Sequence, residues 1–264
     1  MIQEAVNIMD IMTGLLLLVI GFIAGGYGTI VGAGGGFIFV PALLILLDMD
    51  PVIAAGSGLV IVLINSFTGV LGYAKQKKIN YKIALTIGIS ALPGALLGVW
   101  LLQAYSSQYF YVIFATILVG LGIFLFSKNS PWESKRLSKK QQTERNAPKD
   151  VWFIPLGLVM GILSSYLGIG GGWLLVPILI YVFHVPTHRA AATSILSLCL
   201  YSFIGVLSQL YYGNIDWMTV VFGGIGVILG ANIGVFLSQR IPGKVILQML
   251  SVVLVIIGVR MYFQ

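Results

Sequence analysis

Gly32-Ala33-Gly34-Gly35-Gly36-Phe37-Ile38-Phe39-Val40-Pro41 returns later in the chain as Gly168-Ile169-Gly170-Gly171-Gly172-Trp173-Leu174-Leu175-Val176-Pro177. The offset is 136 residues, and the same offset runs outward from the motif without a gap. It pairs Ala54-Ala55 with Ala190-Ala191, Ser66-Phe67 with Ser202-Phe203 and Gly69-Val70-Leu71 with Gly205-Val206-Leu207. Further along it pairs Gly94-Ala95 with Gly230-Ala231, Gly98-Val99 with Gly234-Val235 and Gly122 with Gly258. Self-similarity at a fixed spacing marks a duplicated architecture. The chain therefore divides into an N-terminal repeat over 1–127, a basic linker over 128–150 and a C-terminal repeat over 151–264.

Each repeat reads as five apolar segments, near 11–31, 37–47, 52–73, 83–102 and 109–127, then 151–167, 173–183, 190–212, 217–238 and 245–263. Most approach the ~20 residues that cross ~30 Å of hydrocarbon. The second segment of each repeat is too short for that and follows the glycines. It is expected to be a half-helix or the short arm of a broken or re-entrant pair.

Composition supports a membrane reading. Hydrophobic residues make up 58% of the chain and charged residues 9%, against about 25% charged in soluble domains. Too little charge remains to clothe a water-facing surface, which excludes a soluble enzyme, a disordered chain and a nucleic-acid domain. The fold class is an all-α polytopic membrane protein. The net charge of +7 is concentrated in two short gaps. One holds Lys75, Lys77, Lys78 and Lys82; the other holds Lys128, Lys135, Arg136, Lys139, Lys140, Arg145 and Lys149. By the positive-inside rule both gaps face the cytoplasm, so no nucleic-acid partner is expected. Loop 103–108 is uncharged and loop 212–216 carries only Asp216, so both are placed outside, while Arg240 and Lys244 place 239–244 inside. Repeat-related loops thus lie on opposite sides. The halves are read as inverted, with the N-terminus outside and linker 128–150 cytoplasmic. The first apolar run follows Glu4 and Asp10 without a basic flank, so it is read as a retained span, not a signal peptide.

Inverted repeats with interrupted helices at matching positions point to a secondary transporter. The chemistry is expected at the glycines. Non-helical backbone at membrane depth is tolerated only where protein or a wet cavity surrounds it. A half-helix beginning there offers unpaired amides and the positive end of its dipole, a ready anion site. The residues concerned are Gly34, Gly35, Gly36 and Phe37, with Gly170, Gly171, Gly172 and Trp173. Pro41 and Pro177 are expected early in their half-helices, where they cost little. Close helix packing is the competing explanation for glycine here, since GxxxG pairs occur at Gly21/Gly25, Gly94/Gly98, Gly157/Gly161 and Gly230/Gly234.

A second layer of candidates lies on the third segment of each repeat: Ser57, Asn65 and Ser66 against Thr193, Ser194, Tyr201 and Ser202. These groups offer donors to an anion or oxygens to a coupling sodium ion, although such hydroxyls also bond their own i−4 carbonyls. No Asp, Glu, Lys or Arg falls in the middle of a segment, which argues against a carboxylate proton relay. Arg189, beside His184 and His188, is a candidate anion attractant at the inner mouth. No metal site or cofactor is expected: Pro186 separates the two histidines, and Cys199 is the single cysteine. A nucleophile–base pair at depth is likewise missing, so an enzyme is not expected.

The doubled GxGGGxxxVP, with Ala54-Ala55-Gly56-Ser57 and Ala191-Ala192-Thr193-Ser194 following, resembles the TauE/SafE sulfite exporter family over nearly the whole chain. The resemblance implies an inner-membrane permease for sulfite, a sulfonate such as sulfoacetate, or a related sulfur oxyanion. A proton or sodium ion is open as the coupling partner, and a homodimer is open as the assembly. An anion channel, or a carrier for a different small solute, is the alternative.

Overall fold

The computed structural model describes residues 2–105, 110–128 and 150–263. The basic linker expected over 128–150 lies, apart from its two end residues, outside the described residues. The first repeat holds α1 (Ile2–Val31), α2 (Gly36–Leu46), α3 (Pro51–Lys75), α4 (Tyr81–Ala104) and α5 (Phe110–Lys128). After a short 3-10 turn (Asp150–Trp152), the second holds α6 (Phe153–Leu167), α7 (Gly172–Tyr181), α8 (Thr187–Tyr212), α9 (Trp217–Ser238) and α10 (Gly243–Tyr262). Among the described residues the fold is all-helical. Seven of these helices (α1, α3, α4, α5, α8, α9 and α10) are long and apolar enough to cross a membrane. The short ones are α2 and α7, with 11 and 10 residues, and α6, whose 15 residues extend about 22 Å.

Helix ends follow local chemistry. Gly32 and Gly168 terminate α1 and α6 in the left-handed region, at φ 84° and 69°, where a side chain would clash. Asp50 caps α3 by accepting from the Val52 amide at 2.8 Å, with Pro51 at the first helical position. Asn80 accepts from Ile83 N to start α4, and at the repeat-related position Asp216 accepts from Thr219 N to start α9.

The GxxxG glycines bring helices of opposite repeats together. A Cβ on Gly21 would lie 2.2 Å from Gly223 O, one on Gly25 2.5 Å from Val227 O, and one on Gly230 2.0 Å from Phe22 O. These approaches join α1 to α9, running parallel. Gly94 against Leu158 O and Gly161 against Ala91 O, at 2.2 and 2.1 Å, join α4 to α6 in the same way. The packing role weighed for these glycines is therefore real. It is carried by pairs that cross between the repeats.

Two further pairs are antiparallel. Gly69 of α3 faces Ile195 of α8 while Gly205 faces Leu59, and Gly122 of α5 faces Val255 while Gly258 of α10 faces Val119. Trp100, Trp152 and Trp217 are exposed near helix ends, whereas Trp173 is fully buried. Substituting Gly161 by Leu is expected to cost about 2–3 kcal/mol or more, because the neighbour that must give way is backbone. Gly120→Leu, with no atom within 4 Å of its added Cβ, is expected to stay within about 0.5 kcal/mol of the parent. Thermal unfolding in detergent compares the two.

Candidate functional site

The two glycine turns lie against each other in the interior. A Cβ on Gly36, the first residue of α2, would fall 2.6 Å from Ile169 O; one on Gly172, the first residue of α7, would fall 2.4 Å from Gly32 O. Each half-helix thus begins against the turn of the opposite repeat. Gly34, Gly35 and Gly170 have φ of 81°, 78° and 73°, which only glycine adopts freely. The first amides with a turn acceptor are Ile38 N, to Gly35 O at 3.1 Å, and Leu174 N, to Gly171 O at 3.2 Å. The amides of Gly36, Phe37, Gly172 and Trp173 precede them in the first turn, where no intrahelical acceptor exists.

Pro41 and Pro177 are each the sixth residue of their half-helix, beyond the first turn where they were expected. The helices start at Gly36 and Gly172, so each ring removes an amide that would have bonded the carbonyl of Phe37 or Trp173. Both half-helices are therefore weakened at the same place, directly beside the glycines.

The repeats are not equivalent at the next-to-last glycine, Gly35 against Gly171. Gly171 has φ −87°, and its N–H donates to the buried Tyr201 hydroxyl at 3.2 Å. Asn65 stands at the corresponding position of α3 and is too short for that role. Instead its Oδ1 accepts from Thr29 Oγ1 at 2.9 Å. Gly35 keeps its positive φ, and a Cβ there would meet Ala24 O at 2.7 Å.

The polar candidates divide. Asn65, Ser66 and Tyr201 are fully buried on the faces of α3 and α8 that meet the glycine turns. Ser66 Oγ is 3.6 Å from the position of a Gly34 Cβ. Ser194 donates to Gly32 O at 2.9 Å and so ties α8 to the first turn. Ser202 bonds Leu198 O within its own helix.

Ser57 and Thr193 are occupied elsewhere, in a reciprocal pair of bonds. Asp216 N donates to Ser57 Oγ at 2.9 Å, and Asn80 N donates to Thr193 Oγ1 at 3.1 Å. Each hydroxyl holds the start of a helix in the opposite repeat. Arg189 is exposed in the first turn of α8, and His188 Nε2 lies 3.1 Å from Ile241 O. Among the described residues no group of three His, Cys, Asp or Glu side chains converges.

Reading the sequence alone missed Thr29 and Ser165. Both are fully buried, and they face Gly69 and Gly205 respectively. Their separation is again 136 residues, the signal that would have found them. Four buried polar atoms in this region, Asn65 Nδ2, Ser66 Oγ, Ser165 Oγ and Trp173 Nε1, have no hydrogen-bond partner within the protein. Buried donors are costly when unmatched.

The family described as Sulfite exporter TauE/SafE matches residues 17–261. The chain belongs to this family. TauE/SafE proteins are membrane transporters, and this chain is one rather than an enzyme. It is similar to the Probable membrane transporter protein YunE of Bacillus subtilis (strain 168), at 29% identity over 96% of this chain and 98% of that protein. The Probable membrane transporter protein MJ0441 of Methanocaldococcus jannaschii is 33% identical over 93% and 94%. The Probable membrane transporter protein YjnA of Bacillus subtilis (strain 168) is 25% identical over 93% and 98%. No solved structure matches the chain.

Inequivalence of the two turns has a testable consequence for this TauE/SafE member. Gly35→Ala is expected to cost about 2 kcal/mol or more, from left-handed strain plus a clash with backbone. Gly171→Ala, at an ordinary φ, meets chiefly the Tyr201 hydroxyl at 2.8 Å. Its cost is expected to fall when combined with Tyr201→Phe. A double-mutant cycle of thermal stabilities in detergent measures that coupling. Ser57→Ala and Thr193→Ala are each expected to lose about 1 kcal/mol of stability and to leave the KM for transport unchanged, as radiolabel uptake would show.

Proposed function

We propose that the protein is a secondary carrier of a small sulfur oxyanion, sulfite or a sulfonate of the sulfoacetate kind, working by alternating access between two inverted repeats in an inner membrane. The observation that carries this reading is the meeting of the two half-helix starts. Gly36-Phe37 and Gly172-Trp173 bring first-turn amides from opposite repeats to one buried place without a single formal positive charge. A multiply oxygenated anion suits such a site, because several oxygens can accept from several amides at once. Hydroxyl and indole donors without internal partners, Ser66 Oγ and Trp173 Nε1 among them, extend the donor set.

The chain directions favour inversion. Repeat-related α3 and α8 are antiparallel, as are α5 and α10, whereas the cross-repeat pairs α1 with α9 and α4 with α6 are parallel. Two inverted repeats related by an in-plane axis require that combination. With loop 74–82 read as cytoplasmic from its charge, the same directions agree with an outside N-terminus and support Arg189 as an anion attractant at the inner mouth. The lack of a mid-span carboxylate favours a sodium ion over a carboxylate-borne proton as coupling partner. The family description supports sulfite in particular, and the names of the relatives go no further than transport.

The test is flux in vesicles reconstituted with the purified protein. Sulfite or sulfoacetate inside the vesicles is expected to accelerate uptake of the labelled anion through counterflow that saturates. Unsaturable, purely voltage-driven flux would instead indicate a channel. Gly35→Val and Gly171→Val are expected to abolish counterflow, by at least about a hundredfold if the amide geometry is the site. Normal flux in a monodisperse preparation of both variants would remove the half-helix starts from the mechanism.

A further inference from the structure

Between the two glycine turns stand two apolar side chains, Val62 of α3 and Leu198 of α8, at repeat-related positions and both fully buried. Val62 methyls lie 3.1 Å from the position of a Gly34 Cβ, 2.5 Å from that of Gly36 and 2.9 Å from that of Gly170. Leu198 methyls lie 3.3, 2.9 and 2.6 Å from those of Gly34, Gly170 and Gly172. The space that four glycines leave open is therefore filled by one valine and one leucine. Each touches both turns.

What flanks this pair gives it meaning. Asn65 and Ser66 follow Val62 by three and four residues, and Tyr201 and Ser202 follow Leu198 by the same steps. In a helix these residues share a face with the apolar one. Because α3 and α8 run antiparallel, the two polar pairs project to opposite sides of the apolar pair. The order along the axis is polar group, apolar contact, polar group.

We propose that Val62 and Leu198 form a hydrophobic seal across the substrate path, dividing it into two polar half-sites, one belonging to each repeat. This rests on the transport reading of the glycine turns given above, and it adds the element that keeps the path closed. A constriction of aliphatic side chains excludes water and hydrated ions by dewetting. Passage then requires the two side chains to part as the repeats rock. A solute moves from Asn65 and Ser66 on one side to Tyr201 and Ser202 on the other. The weakened second turns of α2 and α7, at Pro41 and Pro177, adjoin the same glycines and are where the half-helices can give.

The experiment reads leakage, separately from substrate transport. Purified protein is reconstituted into phosphatidylethanolamine–phosphatidylglycerol vesicles holding a halide-quenched dye, and chloride entry is followed with no sulfur oxyanion present. Val62→Ala combined with Leu198→Ala is expected to raise chloride entry by at least about tenfold over the parent, since a shortened apolar constriction wets more readily. Val62→Thr, which keeps the shape and adds a hydroxyl, is expected to raise it as well. That variant carries the test should the double variant aggregate. Chloride entry at the parental rate in either variant, eluting as a single folded species, would overturn the seal. Absence of sulfite counterflow in the unaltered protein would overturn the substrate assignment alone and leave the leakage comparison valid.

Discussion

Backbone that leaves the helix inside a bilayer must be enclosed by other protein, because lipid offers nothing to an exposed N–H or C=O. Most of this architecture answers that one demand. Among the described residues the chain leaves helix in the buried interior after Val31 and after Leu167. Both breaks are made of glycine, so that each can be buried against the backbone of the other repeat. The long α3 and α8 cross beside them, and α1 with α9 and α4 with α6 close the flanks through contacts in which one helix's glycine meets another's carbonyl. Had either break faced lipid, its amides would have cost several kcal/mol apiece.

The same demand explains why no Asp, Glu, Lys or Arg is buried among the described residues. Holding a carboxylate or ammonium there would require a partner of opposite sign, and the pair would be costly to desolvate. Half-helix starts supply positive potential from the peptide dipoles without that cost. In the carrier proposed above, a site made of peptide dipoles suits release as well as binding, since binding too tight on one side slows release on the other.

Much of this was legible in the sequence because duplication writes every important position twice. The GxGGG turns, the short α2 and α7 and the antiparallel sense of α3 and α8 follow from the 136-residue offset and the charge of the loops. Roles of single side chains were less legible. Ser57 and Thr193 were read as candidates because they are polar and repeat-related; each accepts from the amide of the residue that caps a helix of the other repeat, a partnership that sequence spacing does not reveal. Tyr201 and Asn65 occupy equivalent positions but do different things, because only the longer side chain reaches the Gly171 amide. Pro41 and Pro177 were read as early enough to cost little, yet the helices begin at Gly36 and Gly172 and put each proline at the sixth position, beyond the first turn. Val62 and Leu198 are ordinary aliphatic residues in an aliphatic segment; only the three-dimensional meeting of the turns sets them apart.

The reciprocal bonds from Asn80 to Thr193 and from Asp216 to Ser57 bear on how such a chain is made. Gly21 meets its counterpart Gly223 only after about 200 further residues have been synthesised, and non-local contacts of that span form late. Until α9 and α8 arrive, α1 lacks the helix its glycines pack against, and the Asn80 amide at the start of α4 lacks its Thr193 acceptor. Each repeat therefore completes the packing and the helix starts of the other, so that neither half is finished without its partner.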